Sequence, residues 1–118
     1  VIRPSLIWCD QRSQAQVDRI NQKVGEKKIL GYIANPVLTG FTLPKLMWVR
    51  DNEPANYEKA KKMLLPKDYV RFMLTGDFGM DVADASGTAL FDVVNRKWAT
   101  EFCYDLGIDV DLLPPSME

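Results

Sequence analysis

The chain contains no histidine. That removes the usual general base, the commonest metal ligand and every Ser-His or Cys-His nucleophile pair. Proton transfer would have to use a carboxylate, a lysine or a tyrosine. Its two cysteines, Cys9 and Cys103, are too far apart for a metal motif and too few for a disulfide framework. They read as reduced thiols of a cytoplasmic protein. No apolar run approaches the ~20 residues that span a bilayer, and no basic-then-apolar leader stands at the start. The first residue is Val1, so the chain reads as an internal piece of a longer frame. The net charge is −1, which gives nucleic acid or an anionic membrane nothing to hold. Neither G-x-x-x-x-G-K-[ST] nor G-x-G-x-x-G occurs, so no phosphate-cradling loop of those types is present.

What is present suits one globular domain. Apolar residues make up 47% of the chain and charged residues 26%, enough for a core with a polar surface. Ser5–Cys9 follows Pro4 as a short apolar run and reads as a strand. Ser13 opens a helix with Gln16 completing a capping box. Val17, Ile20 and Val24 form its apolar face, and Gly25 stops it. Trp8, Asp10 and Arg12 therefore fall between a strand end and a helix start, where polar groups of α/β folds often face a ligand crevice.

Lys27–Leu38 fits no single element, and Asn35-Pro36 breaks it. Thr42 reads as an N-cap with Pro44 in the first turn, and Leu43, Leu46, Met47 and Trp48 as the buried face. Asn52-Glu53-Pro54 ends that helix and starts another carrying Tyr57, Ala60 and Leu64, with Lys59, Lys61 and Lys62 in water. Pro66 opens a helix with Tyr69, Phe72 and Met73 inward and Gly76 as its stop. Asp81 caps a short helix through Ser86, with Asp84 three residues on. Thr88–Val94 alternates like a strand. Trp98, Phe102 and Leu106 stripe a helix ended by Gly107. Asp109 caps a last turn before Pro114-Pro115. The expected fold class is α/β, mostly helical, with two or three short strands.

The residues that could carry chemistry admit two readings. Trp8 is either a core residue or an exposed ring offered to the C–H groups of a polyol. Asp10 and Arg12 are either a loop ion pair or a pocket wall that hydrogen-bonds vicinal hydroxyls. Asp81, Asp84 and Asp92 could suggest acid–base work or a metal site. Cap and strand-face positions explain them better, and the spacing is no EF-hand.

Four segments share one resemblance: WCDQR (Trp8–Arg12), GFTLPKLMWVRDN (Gly40–Asn52), LLPKDYVRFMLTG (Leu64–Gly76) and DVADASGTALFDVVNRKW (Asp81–Trp98). In this order they resemble the FGGY-type carbohydrate kinases, and the xylulokinase branch of that family most. Gly40, Thr42, Lys45, Leu46, Trp48, Val49, Asp51 and Asn52 match each constrained position of one family pattern. The resemblance runs from Pro4 to Pro115 and implies part of the ribonuclease H-like N-terminal domain, related to actin and hexokinase. It implies a parent that phosphorylates D-xylulose to the 5-phosphate. By that resemblance Trp8, Asp10, Arg12, Gly40 and Thr42 bind the sugar. Gly40 replaces an aromatic of glycerol kinase and leaves room for a longer substrate. The family's Asp-Gly-Thr phosphate loop, its catalytic Asp and its Gly-rich nucleotide turns are absent from these residues. ATP and Mg²⁺ would be bound elsewhere in the parent, and the isolated chain would be inactive. The expected partners are a small sugar and the remainder of the kinase chain, with a homo-oligomer as an open alternative. Uncovered apolar surface, with Ser5–Cys9 as an unpaired edge, would make the isolated chain self-associate. The alternatives are another kinase of this family, for glycerol, ribulose or gluconate, and a stand-alone helical binding or regulatory module.

Overall fold

The computed structural model describes all residues from Val1 to Glu118. Seven helices occur: α1 (Gln14–Val24), α2 (Glu26–Ile33), α3 (Thr42–Asn52), α4 (Pro54–Lys59), α5 (Pro66–Thr75), α6 (Val82–Ser86) and α7 (Thr100–Leu106). Strand β1 (Met80–Asp81) pairs in parallel with β4 (Ser116–Met117), and β2 (Phe91–Asp92) pairs antiparallel with β3 (Lys97–Trp98). A 3₁₀ turn covers Val110–Leu112. The expected class, mostly helical with few short strands, is the observed one. No helix is long and apolar enough to cross a membrane.

Local punctuation sets most helix ends. Gly76 and Gly107 close α5 and α7 at φ 77° and 68°, a region glycine enters without a Cβ clash. Asp81 accepts from the Asp84 N–H at 2.9 Å and caps α6. Asp109 accepts from the Asp111 N–H at 2.9 Å and caps the 3₁₀ turn. Pro54 and Pro66 sit in the first turns of α4 and α5. Val17 and Ile20 of α1 are buried, and α2 adds Ile29 and Ile33 from the segment whose type the sequence left open.

Several expectations are corrected. Ser5–Cys9 is not a strand: no neighbour pairs with it, and the Asp10 N–H instead closes a turn on the Ile7 carbonyl at 3.0 Å. The Ser13–Gln16 capping box does not form. Ser13 lies at φ −89°, ψ 17°, outside the extended geometry that aims an N-cap hydroxyl at the helix. Its buried hydroxyl has no partner, and the Gln16 amide reaches Asp51 at 3.1 Å. Phe41, not Thr42, precedes α3, and the Leu43 N–H is satisfied by the Thr88 carbonyl at 2.9 Å. Helix α4 ends at Lys59 rather than continuing to Leu64. The chain extends so that the Met63 N–H meets the Leu112 carbonyl at 2.7 Å, and Lys62 donates to the Asp111 carbonyl at 2.6 Å instead of facing only water. Thr88–Val94 is a strand only at Phe91–Asp92, because the chain turns back after Asp92. Trp98 belongs to β3, edge-on to Phe91 at 5.4 Å, and not to α7. The face assigned to α5 is also wrong: Tyr69 and Met73 point outward, at 38% and 64% exposure, while Asp68 is buried.

The main core gathers side chains from α1, α2, α3 and α7, among them Ile20, Ile29, Ile33, Leu43 and Phe102, and Leu90 from the segment before β2. Both cysteines are free; Cys9 is exposed and Cys103 buried. Burial pushes the Cys103 thiol up from 9.0 to about 11. A raised folded value contributes stability that is complete below the unfolded value and is lost as pH climbs through the folded one. Stability to denaturant should therefore fall by about 2–3 kcal/mol more across pH 9–11 in the natural chain than in Cys103→Ala. Parallel curves for the two proteins over that range would refute it.

Candidate functional site

A turn delivers Trp8 to the surface, where its ring is 81% exposed. Within these 118 residues Trp8 takes no part in the core. Trp8 lines a hollow of about 490 Å³, with Gln14 and Val17 from the start of α1 and Leu38, Thr39, Gly40 and Phe41 from the loop before α3. The structure thus brings together Trp8 and Gly40, which lie far apart in the chain.

Two contacts hold the loop there. The Phe41 N–H donates to the Leu38 carbonyl at 3.0 Å. Lys45, one turn into α3, donates its ammonium to the Gly40 carbonyl at 3.0 Å. Partial burial lowers the Lys45 amine, while the nearby Asp10 and Cys9 oppose that shift. Lys45 is therefore a tether for the loop and not merely a solvated side chain. Gly40 is close against the other wall: a Cβ there would sit 3.1 Å from the Trp8 carbonyl. Any larger residue would have to push the two walls apart.

Asp10 and Arg12 flank the hollow without lining it. The Arg12 Nε donates to both Asp10 oxygens at 3.0 Å, and the Arg12 N–H to Oδ1 at 2.9 Å. These bonds hold the Asp10 carboxyl below its ordinary range. The loop ion pair is thus present, and it orients the carboxylate. The Arg12 guanidinium also lies 5.2 Å from the centroid of the Trp48 ring of α3, a cation–π distance. Arg3 lies 5.7 Å from the same ring and pairs with Glu53 at 2.9 Å. Thr42 is half-buried at the start of α3, one residue beyond the lining. Sequence reasoning missed Gln14 and Val17. The signal was their three-residue spacing in the helix turn directly after Arg12.

The acidic residues have structural work. Lys67 lies among Asp68 (3.3 Å), Asp84 (2.8 Å) and Asp81. Its ammonium fills the space a cation would take. Asp92 accepts from the Asn95 N–H at 3.0 Å and side-chain amide at 2.7 Å, shaping the β2–β3 turn. No group of three His, Cys, Asp or Glu side chains converges as a metal site would require.

An aromatic face, an amide, a hydroxyl and a fixed carboxylate around an open hollow suit a small polyhydroxylated ligand. Comparison with known proteins shows the family. The family model for the FGGY family of carbohydrate kinases, N-terminal domain, matches residues 1–118. The xylulose kinase of Bacillus subtilis (strain 168) is 41% identical over 118 residues, covering 100% of this chain and 23% of that protein. The xylulose kinase of Staphylococcus xylosus is 42% identical over 113 residues, covering 96% of this chain and 23% of that protein. A crystal structure of a xyloylose kinase from Brucella ovis superposes with a TM-score of 0.91 at 35% identity, covering 100% of this chain and 24% of that one. The chain thus spans about a quarter of the length of the relatives it matches.

Proposed function

We propose, from the premise that this chain belongs to the FGGY family of carbohydrate kinases, that it supplies the sugar-side wall of an ATP-dependent D-xylulose kinase. The complete protein would move the γ-phosphoryl group of ATP to the terminal hydroxyl of D-xylulose, giving the 5-phosphate and ADP. The observation that carries the site is that the exposed Trp8 and Gly40 line one hollow. In this reading Trp8 lies against the sugar's C–H face. Asp10 accepts hydrogen bonds from its hydroxyls while Arg12 holds the carboxylate in place. Gly40 keeps the opposite wall low, and Thr42 anchors that wall at the start of α3. The xylulose kinases among the relatives favour a pentulose.

These residues do not fit ATP or Mg²⁺. Lys67 already occupies the acidic cluster, and Gly76 and Gly107 serve as helix ends. Phosphoryl transfer needs a phosphate cradle and metal ligands, which belong to another part of the protein. Two free thiols fit a cytoplasmic setting.

The 118-residue chain mixed with ATP and D-xylulose should show no turnover. The complete polypeptide that contains it should phosphorylate D-xylulose in preference to ribulose, glycerol or gluconate. Turnover by the 118 residues alone would overturn the division of labour. A complete polypeptide that prefers another of these sugars overturns the substrate. One with no kinase activity at all favours the binding or regulatory module.

A further inference from the structure

Helix α5 is turned inside out relative to the body it sits on. Asp68 is buried beneath it, and Arg71 and Phe72 are half-buried. Tyr69, Val70, Met73 and Leu74 face outward, the last two at 64% and 81% exposure. These four recur at three- and four-residue spacing and make one continuous stripe. A surface helix ordinarily turns its apolar stripe to the core and its charges to water. The reversal means that the partner of this stripe is not among the 118 residues.

The β1–β4 pair next to α5 is unfinished in the same way. It is parallel and two residues long. Parallel sheets occur almost only as larger sheets with both faces covered. The two features adjoin. Phe72 of α5 stacks on Phe78, just before β1, at 4.5 Å. Met117 of β4 packs on Gly79 so closely that a Cβ there would lie 2.5 Å from its Cε. Phe78 and Met117 are themselves 37% and 36% exposed, so the apolar surface continues from helix to strand pair.

We propose that the outward face of α5, with the β1–β4 pair beside it, is the seat of an apolar layer contributed by the remainder of the same polypeptide. The inference rests on the reading that these residues are one part of a longer kinase. The matched relatives support it, since this chain spans only 23% of their length. A second copy fits less well. One stripe on a ten-residue helix falls short of the ~800 Å² per partner of a standard interface.

The test uses Leu74→Cys in the 118-residue chain, which has its own core, and in the complete polypeptide. Alkylation of the introduced thiol by iodoacetamide is followed by peptide mass and referred to the same protein in denaturant. The thiol should react within a few-fold of the denatured rate in the short chain. In the complete polypeptide it should react at least tenfold more slowly. Equal reactivity in both overturns the proposal. So does protection in the complete polypeptide that appears only as its concentration rises, which would name a second copy as the occupant. Leu74→Glu gives an independent reading: it should lower the Tm of the complete polypeptide and leave that of the short chain unchanged, and equal effects on both count against the proposal. Sugar turnover is measured separately. A protected thiol in a protein that phosphorylates no sugar leaves the surface assignment standing and removes the function. An unprotected thiol in an active kinase does the reverse.

Discussion

Trp8→Ala in the complete kinase should raise KM for D-xylulose roughly tenfold or more and leave KM for ATP nearly unchanged. Trp8 takes no part in the core of these 118 residues, and substitutions at surface positions usually change stability by no more than about 0.5 kcal/mol. Its loss removes one stacking face from a planar or C–H-rich ligand, worth about 1–3 kcal/mol by analogy with bases stacked on protein aromatics. A contact made equally in ground and transition states appears in KM alone. Asp10→Asn should act in the same direction, because a neutral amide replaces the charged acceptor that Arg12 orients. Steady-state kinetics with each substrate varied in turn decide the matter. Wild-type constants for sugar in a folded Trp8→Ala protein would show that the hollow does not hold the substrate.

Phe102→Ala should be the most damaging single change to the fold, costing about 3–5 kcal/mol. Phe102 is fully buried and stacks on Tyr32 at 5.3 Å. It lies in the core cluster to which α1, α2, α3 and α7 all contribute, and α7 packs on α2, so the cavity left behind would open inside that core. Total stabilities of domains are about 5–15 kcal/mol, and the corresponding fall in Tm is roughly 10–30 °C. Tyr104→Ala on the same helix is the control: that ring is 84% exposed, and its loss should move Tm by only a few degrees. Calorimetry or circular dichroism melts of the two variants compare them directly. Similar Tm shifts would mean that α7 is not seated on the core as described.

Much of this was legible in the residues. The α7 stripe, with Phe102 and Leu106 at helical spacing before Gly107, pointed to the core, and both are buried there. The pairing of Asp10 with Arg12 was visible as a two-residue spacing, and the resemblance had already set Trp8 and Gly40 among the sugar residues. What it lacked was their meeting in space. Gly40 approaches the Trp8 carbonyl only because Lys45 and the α1–α3 packing hold the loop against it. Gln14 carried no chemical signal of its own; it lines the hollow because the first turn of α1 happens to face it.

The sequence by itself determined several helix ends. Pro66 and Gly76, Asp81 with Asp84, Asp109 and Gly107 act through bonds and φ values within three or four residues, so nothing distant can alter them. The tertiary structure decided which face of each element is covered and which extended segments find partners. Ser5–Cys9 has strand composition but no neighbouring ladder, and a strand exists only as half of a pair. Residues 60–63 leave the helical path to reach Leu112. The stripe on α5 has ordinary amphipathic spacing, and only the packed molecule reveals that it points away from the body, because periodicity records that a helix has two faces and not what stands opposite either one.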